Sequence, residues 1–181
     1  MMRVLQHSKK TFLLATIATL LALTAFVPAI TLSSNAWTCQ EFQCISTGRM
    51  AGGGVLANGG DKVTLGFELH CSAAATPNNL EINWGKNQFH LESYNYANCF
   101  NDTSSLPNPP KAPFNLLEAN GYGRLNGVSG AFVFVQLFDG GEPGVGTDWA
   151  TIVIYAANGT LVMNVHELLI GGNFQAHTSN K

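Results

Sequence analysis

The sequence is poor in charge, and poorer still in basic charge. Its 181 residues hold 9 Lys and Arg against 11 Asp and Glu. Arg3, Lys9 and Lys10 stand at the very start. Beyond them only Arg49, Lys62, Lys86, Lys111, Arg124 and Lys181 remain, scattered and outnumbered by the acids. A chain with that balance lacks the basic footprint of a nucleic-acid binder. Helical periodicity is missing too. After the N-terminal segment no stretch repeats apolar residues every 3.6 positions over three turns, and the best helical candidate is a single turn near Phe114 to Ala119. Two familiar catalytic signatures are also absent. "GRMAGGGVL", Gly48 to Leu56, is followed by neither Lys-Ser/Thr nor a helix, which excludes a phosphate loop. Ser129 in "GVSGA" is out of frame with the G-x-S-x-G elbow and has no strand-to-helix context, so no nucleophile is marked.

The long hydrophobic run lies at the N-terminus. Basic Arg3, Lys9 and Lys10 precede the apolar "TFLLATIATLLALTAF", Thr11 to Phe26, and "SSNA" follows at Ser33 to Ala36. This is the pattern of a secretory signal peptide. Ser34 and Ala36 occupy the small-residue positions, giving residues 1–36 as the signal peptide with cleavage before Trp37; cleavage after Ala29 is the second choice. No lipobox precedes Cys39. The competing reading is an uncleaved anchor over Thr11 to Leu32, interrupted by Pro28 and with no basic stop after it. On the preferred reading residues 37–181 form one exported domain, secreted or periplasmic, and the membrane is met only through an uncleaved signal segment.

All four cysteines, Cys39, Cys44, Cys71 and Cys99, lie in that exported part. An even count in an exported chain favours disulfides over a metal site. Cys71 continues the alternation Val63, Leu65, Phe67, Leu69 onto a buried strand face, and Cys99 ends the strand-like "SYNYANCF". Three pairings are formally possible; the expected one is a Cys71–Cys99 bridge, with Cys39 and Cys44 closing a small loop.

The remaining pattern has period two. "DKVTLGFELHC", "NNLEINW" and "NQFHLES" alternate, while "SGAFVFVQLF", "TDWATIVIYA" and "GTLVMNVHEL" are strands too apolar for one fully wet face. Turn signals separate them, among them Asn58-Gly59-Gly60, Asn126-Gly127 and Asn158-Gly159; the step from Ala157 to Thr160 reads as the cleanest type I′ hairpin. The fold class is therefore all-β. An antiparallel β-sandwich is expected because both halves contain hairpin pairs able to form two facing sheets, with a small β-barrel as the alternative.

Three places carry candidate chemistry. In "QLFDGGEPGVGTDWATIVIY", Asp139, Glu142 and Asp148 could offer oxygens to calcium, the one cofactor the sequence suggests. The spacing is not that of an EF-hand, and each residue also has a local backbone reason to be in a turn. The second place is "NDTSSLPNPPKAP", Asn101 to Pro113. This proline-rich loop, beside Tyr94 and Tyr96 on what reads as a shared strand face, is the best recognition surface, with Tyr94, Tyr96, Pro107, Pro109 and Pro110 as its binding residues. The third is an acid and histidine pair that joins Asp139 or Glu142 to His166 or His177. His70 and His90, out of phase with their apolar neighbours, read as exposed.

"AGGGVL", "PNNLEINWGKNQFHL", "NGVSG", "FDGGEPGVGTDWATIVI" and the closing "GGNFQAH" together resemble a group of small bacterial exported proteins of uncharacterised function, and more distantly the post-COAP type of β-domain of bacterial surface proteins. The resemblance spans about Gly48 to His177, with Gly140 where Asn is common in the group. It implies an exported bacterial all-β domain and carries no catalytic residue over. The expectation is a disulfide-stapled, non-catalytic binding protein for an extracellular or envelope ligand. The alternatives are an envelope hydrolase with an acid/histidine site and a calcium-stabilised adhesion module.

Overall fold

The computed structural model of the chain describes residues 45–102 and 109–178, all within one compact unit, Cys39–Lys181. The expected signal segment, Cys39, Cys44 and Pro107 lie outside the described residues.

Eight antiparallel strands follow one another in chain order: β1 (Arg49–Asn58), β2 (Asp61–His70), β3 (Asn79–Trp84), β4 (Asn87–Phe100), β5 (Leu116–Leu125), β6 (Val128–Phe138), β7 (Trp149–Tyr155) and β8 (Leu161–His177). Each pairs with the next, and β1 pairs with β8, so the sheet closes into a barrel. The expected sandwich is thereby overturned in favour of its alternative. The closing element is β8, whose 17 residues serve two neighbours in succession. Leu161 to Leu168 pair with β7, and Leu169 to His177 pair with β1. Closure leaves neither a first nor a last strand with an open edge.

The alternation seen in the sequence sets the core. Val63, Leu65, Phe67 and Leu69 of β2, Leu80, Ile82 and Trp84 of β3, and Ile152 and Ile154 of β7 all point inward, joined by side chains from every other strand. An eight-stranded barrel is just wide enough for side chains to fill it. Accordingly, the space between Leu69, Leu80, Leu91, Tyr94 and Val133 has no volume that a water could occupy. The expected helical turn at Phe114 to Ala119 is instead the start of β5. Leu117 and Ala119 are buried while the alternating Leu116 and Glu118 are not, a period of two.

The two ends of the barrel differ. One end has only short turns: Gly59-Gly60, Gly85-Lys86, Asn126-Gly127 and the five-residue Ala156–Thr160 step. Asn126 and Gly127 both have positive φ, 53° and 84°, so this pair and not Asn158-Gly159 makes the type I′ hairpin. At Asn158-Gly159 only the glycine is left-handed. Ala156 N donates to Thr160 O and Gly159 N to Ala156 O, which makes a three-residue loop. The other end carries every long connection: residues 71–78, 101–115 and 139–148.

Candidate functional site

The long connections are held by buried polar groups. Among the described residues the buried polar or charged side chains are His70, Asn115, Asp139 and Asp148, and all four stand at the loop end. Burying such groups is costly unless they are hydrogen-bonded, and each is. His70 is a correction to the exposed position expected of it: it is the last residue of β2, where the chain turns into the next connection. Its backbone N–H donates to Asn78 Oδ1 at 2.9 Å, with its ring Nδ1 3.2 Å from the same oxygen. His90 is on the outer wall as expected, beside Glu81 at 3.2 Å. Asn115 Oδ1 accepts from Asp102 N at 2.6 Å and its Nδ2 donates to Asp102 O at 2.9 Å, tying down the start of the proline segment.

Asp139 and Asp148 bracket the acidic turn, and both reach across to β8. Asp148 Oδ1 accepts from Gly140 N at 2.8 Å and Oδ2 from Phe174 N at 2.7 Å. Asp139 Oδ1 accepts from Gly141 N at 2.9 Å and Oδ2 from Ala176 N at 2.8 Å. Each carboxylate thus spends one oxygen on its own turn and one on the end of β8. Glu142 Oε1, at the exposed tip, accepts from Asn173 Nδ2 at 2.9 Å and Gln175 Nε2 at 3.2 Å. Gly144 must be glycine, because a Cβ there would overlap Asp148 Oδ2 and Asn173 Oδ1. The glycine-rich acidic stretch is therefore a latch that fastens the 139–148 connection to β8. Among the described residues no group of three or more His, Cys, Asp and Glu is arranged to hold a metal ion.

Burial raises the Asp148 pKa from its ordinary 3.8 to about 6; the Phe174 and Gly140 N–H groups oppose the rise, and Asp139 and Glu142 add to it. Asp139 is raised by the same cause, opposed by the Ala176 and Gly141 N–H groups. The folded chain therefore holds a proton on Asp148 that the unfolded chain releases near pH 4. This contribution to stability is full at acid pH and is lost as pH rises through about 6. Urea midpoints measured from pH 4 to 7 should fall across that window, with the slope reduced in Asp148→Asn. A wild-type midpoint that instead rises there would mean the carboxylate folds ionised.

The latch forms one side of an open cleft of about 450 Å³, lined by Pro109, Pro110, Lys111 and Ala112 opposite Asp139, Gly141, Glu142 and the β8 end, Gln175 to Thr178. Two stretches that were read separately, the proline loop and the acidic turn, are thus walls of one site. His177 is part of it. His166 is not: it lies on the outer wall, its Nδ1 2.7 Å from Thr151 Oγ1 and its ring against Trp149. Tyr94 and Tyr96 do not line the cleft, and they do not share a face. Two bulges in β4, between Leu91 and Ser93 and between Tyr94 and Tyr96, shift its pairing with β5. Tyr94 therefore packs against the core, where burial holds its phenol well above the usual range, and its hydroxyl donates to His70 O at 2.9 Å. Tyr96 faces outward and its hydroxyl accepts from Asn98 Nδ2 at 2.7 Å. Lys111 lies within the proline loop read as a recognition surface, whereas sequence reading missed Gln175 and Thr178 as cleft residues. The only signal for Gln175 was its place in the quoted "GGNFQAH".

In comparisons with known proteins, no family model, no curated protein and no solved structure matches this chain.

Proposed function

We propose that this is an exported, non-catalytic binding protein whose ligand occupies the loop-end cleft. One observation carries the reading: long connections and buried polar anchors are all placed at the end that holds the cleft, while the opposite end has only minimal turns. Loops positioned by a rigid scaffold are the usual seat of recognition. The packed barrel interior supports a ligand outside it rather than within. The cleft offers the Lys111 ammonium, the Glu142 carboxylate, the Gln175 amide, the His177 imidazole and the apolar pyrrolidine rings of Pro109 and Pro110. Such a lining suits a polar extracellular or envelope ligand with several hydrogen-bonding groups. Both oxygens of Asp139 are committed to backbone N–H groups, which favours an anchoring role over proton transfer.

The test is an NMR titration with neutral oligosaccharides and short peptides. Shift changes should gather at residues 109–112, 139–142 and 175–178 and be lost in a Lys111→Ala/Gln175→Ala variant. A ligand at a hundred times its Kd should also add about 2.7 kcal/mol of stability. Changes confined to the β2–β4 wall would sink the reading. A calcium-dependent rise in Tm abolished by Glu142→Ala would replace it with the calcium-stabilised adhesion module, and turnover of a glycan or peptide that depends on His177 with the envelope hydrolase.

A further inference from the structure

The outer wall of the barrel is not uniform. Across β2 to β4 it carries Lys62, Glu68, Glu81 and Glu92, with ion pairs Arg49–Glu68, His90–Glu81 and Arg124–Glu92. Across β6 and β7 the outward positions are the half-buried Phe132, Phe134, Gln136, Trp149, Thr151 and Val153 and the exposed Tyr155, with no charge among them, while Phe138 at the loop end is itself buried. On β8 the neighbouring Leu168 and Ile170 are 49% and 53% exposed.

Rows of rings run across the strands. Tyr122 meets Phe132 edge to face at 5.5 Å, Phe132 meets Tyr155 at 6.4 Å, and Phe138 stacks on Trp149 at 5.3 Å. Apolar surface of this extent on a chain otherwise rich in surface polar groups marks a contact face.

We infer that this wall, β5 to β8, is the face through which two copies of the chain pair. Three observations select a second copy. The first is charge. The β6–β7 wall carries no charge, and Glu118, Arg124 and Glu167 stand only at its flanks, Arg124 paired with Glu92, so two copies can meet there without facing like charges or breaking the ion pairs of the β2–β4 wall. The second is area. Four strands about 4.8 Å apart, over some eight residues of about 3.3 Å each, present about 500 Å² per copy. A symmetric pair would then bury about 1,000 Å², the lower bound for a biological interface and the range of a weak, reversible dimer. The third is the row between the two sets of rings. Gln136, Thr151 and His166 cross the middle of the wall, with Gln136 Nε2 donating to Glu118 Oε2 at 2.9 Å and Thr151 beside His166. A wall facing lipid needs an unbroken apolar band, and this polar row breaks it. An interface between proteins accommodates such a row. A self-complementary patch present on every copy closes as a two-fold dimer.

The test is sedimentation equilibrium on the full chain as the cell delivers it, alongside a Tyr155→Lys/Leu168→Lys variant and a Thr64→Lys control on the opposite wall. The wild type and the control should sediment as dimers at micromolar concentration, and the wall variant should weaken association by about 100-fold or more by bringing like charges face to face. Should the double variant fail to fold, Ile170→Lys alone serves, since that side chain is already half exposed. A wild type at monomer mass up to hundreds of micromolar, or a folded wall variant that pairs as tightly as the wild type, overturns the inference. So does flotation of monomeric wild type, but not of the wall variant, with phosphatidylcholine vesicles, which would make the wall a lipid surface.

Discussion

Replacing Asp148 with alanine should lower the unfolding free energy by about 3 kcal/mol and the melting temperature by about 10 °C. The side chain is fully buried and accepts from two N–H groups, Gly140 in its own connection and Phe174 in β8. Alanine leaves both donors buried without a partner, and each such orphan costs about 1–3 kcal/mol. The loss should depend on pH. Because burial raises the carboxyl pKa to about 6, the ionised side chain carries a desolvation cost at neutral pH that the protonated one does not. The gap between wild type and variant should therefore be wider at pH 5 than at pH 7. Asp148→Asn keeps one acceptor and should fall between the two. Hydrogen exchange adds a local readout, since the Phe174 amide should lose protection in the alanine variant before amides at the tight-turn end. A loss below about 1 kcal/mol at pH 5 would mean that the latch does not depend on this carboxylate.

The latch was half legible in the sequence. Glycines following Asp139 and an acid before Trp149 gave each residue of the turn a backbone role, and the local bond from Gly141 N to Asp139 is of that kind. The far half was not legible. Phe174 and Ala176 are 26 and 37 residues from the carboxylates they meet, and nothing in a run of apolar and polar residues states which distant strand will pass a turn. Closure was hidden for the same reason. Sandwich and barrel share one alternation, and the choice depends on whether β8 is long enough to pair with β7 and then with β1. Local punctuation was more reliable at Asn126-Gly127 than at Asn158-Gly159, where the same dipeptide adopts a different loop because Ala156 and Thr160 close it. The bulges of β4 left no mark in "ESYNYANC". A single inserted residue reverses the facing of every side chain after it, and this separates Tyr94 from Tyr96.

Loss of the Cys71–Cys99 disulfide, read from the sequence and present in the structure, should cost at least about 3–4 kcal/mol. That figure is the loop-entropy contribution for a separation of 28 residues. The position of the bond argues for more. β3 pairs with β4 only from Glu81 to Trp84, against Asn87 to His90, so beyond His90 the ladder between them ends while β4 continues to Phe100. At the loop end the seam on that side of β4 is spanned by other means: the disulfide, the Tyr94 hydroxyl on His70 O, and the bridge of Ile45 N to Cys99 O at 2.9 Å. Both cysteines are buried, so Cys71→Ala/Cys99→Ala also leaves the core underfilled beside this seam. The variant should melt more than about 10 °C below the wild type, and its amides from Leu91 to Asn98 should lose protection more than those of β6 and β7. Tyr94→Phe, which removes only the hydroxyl bridge, should be mild in the wild type and more costly in the cysteine-free background, because the two ties then share one seam. Strict additivity of the two changes would show instead that each holds its own part of the barrel.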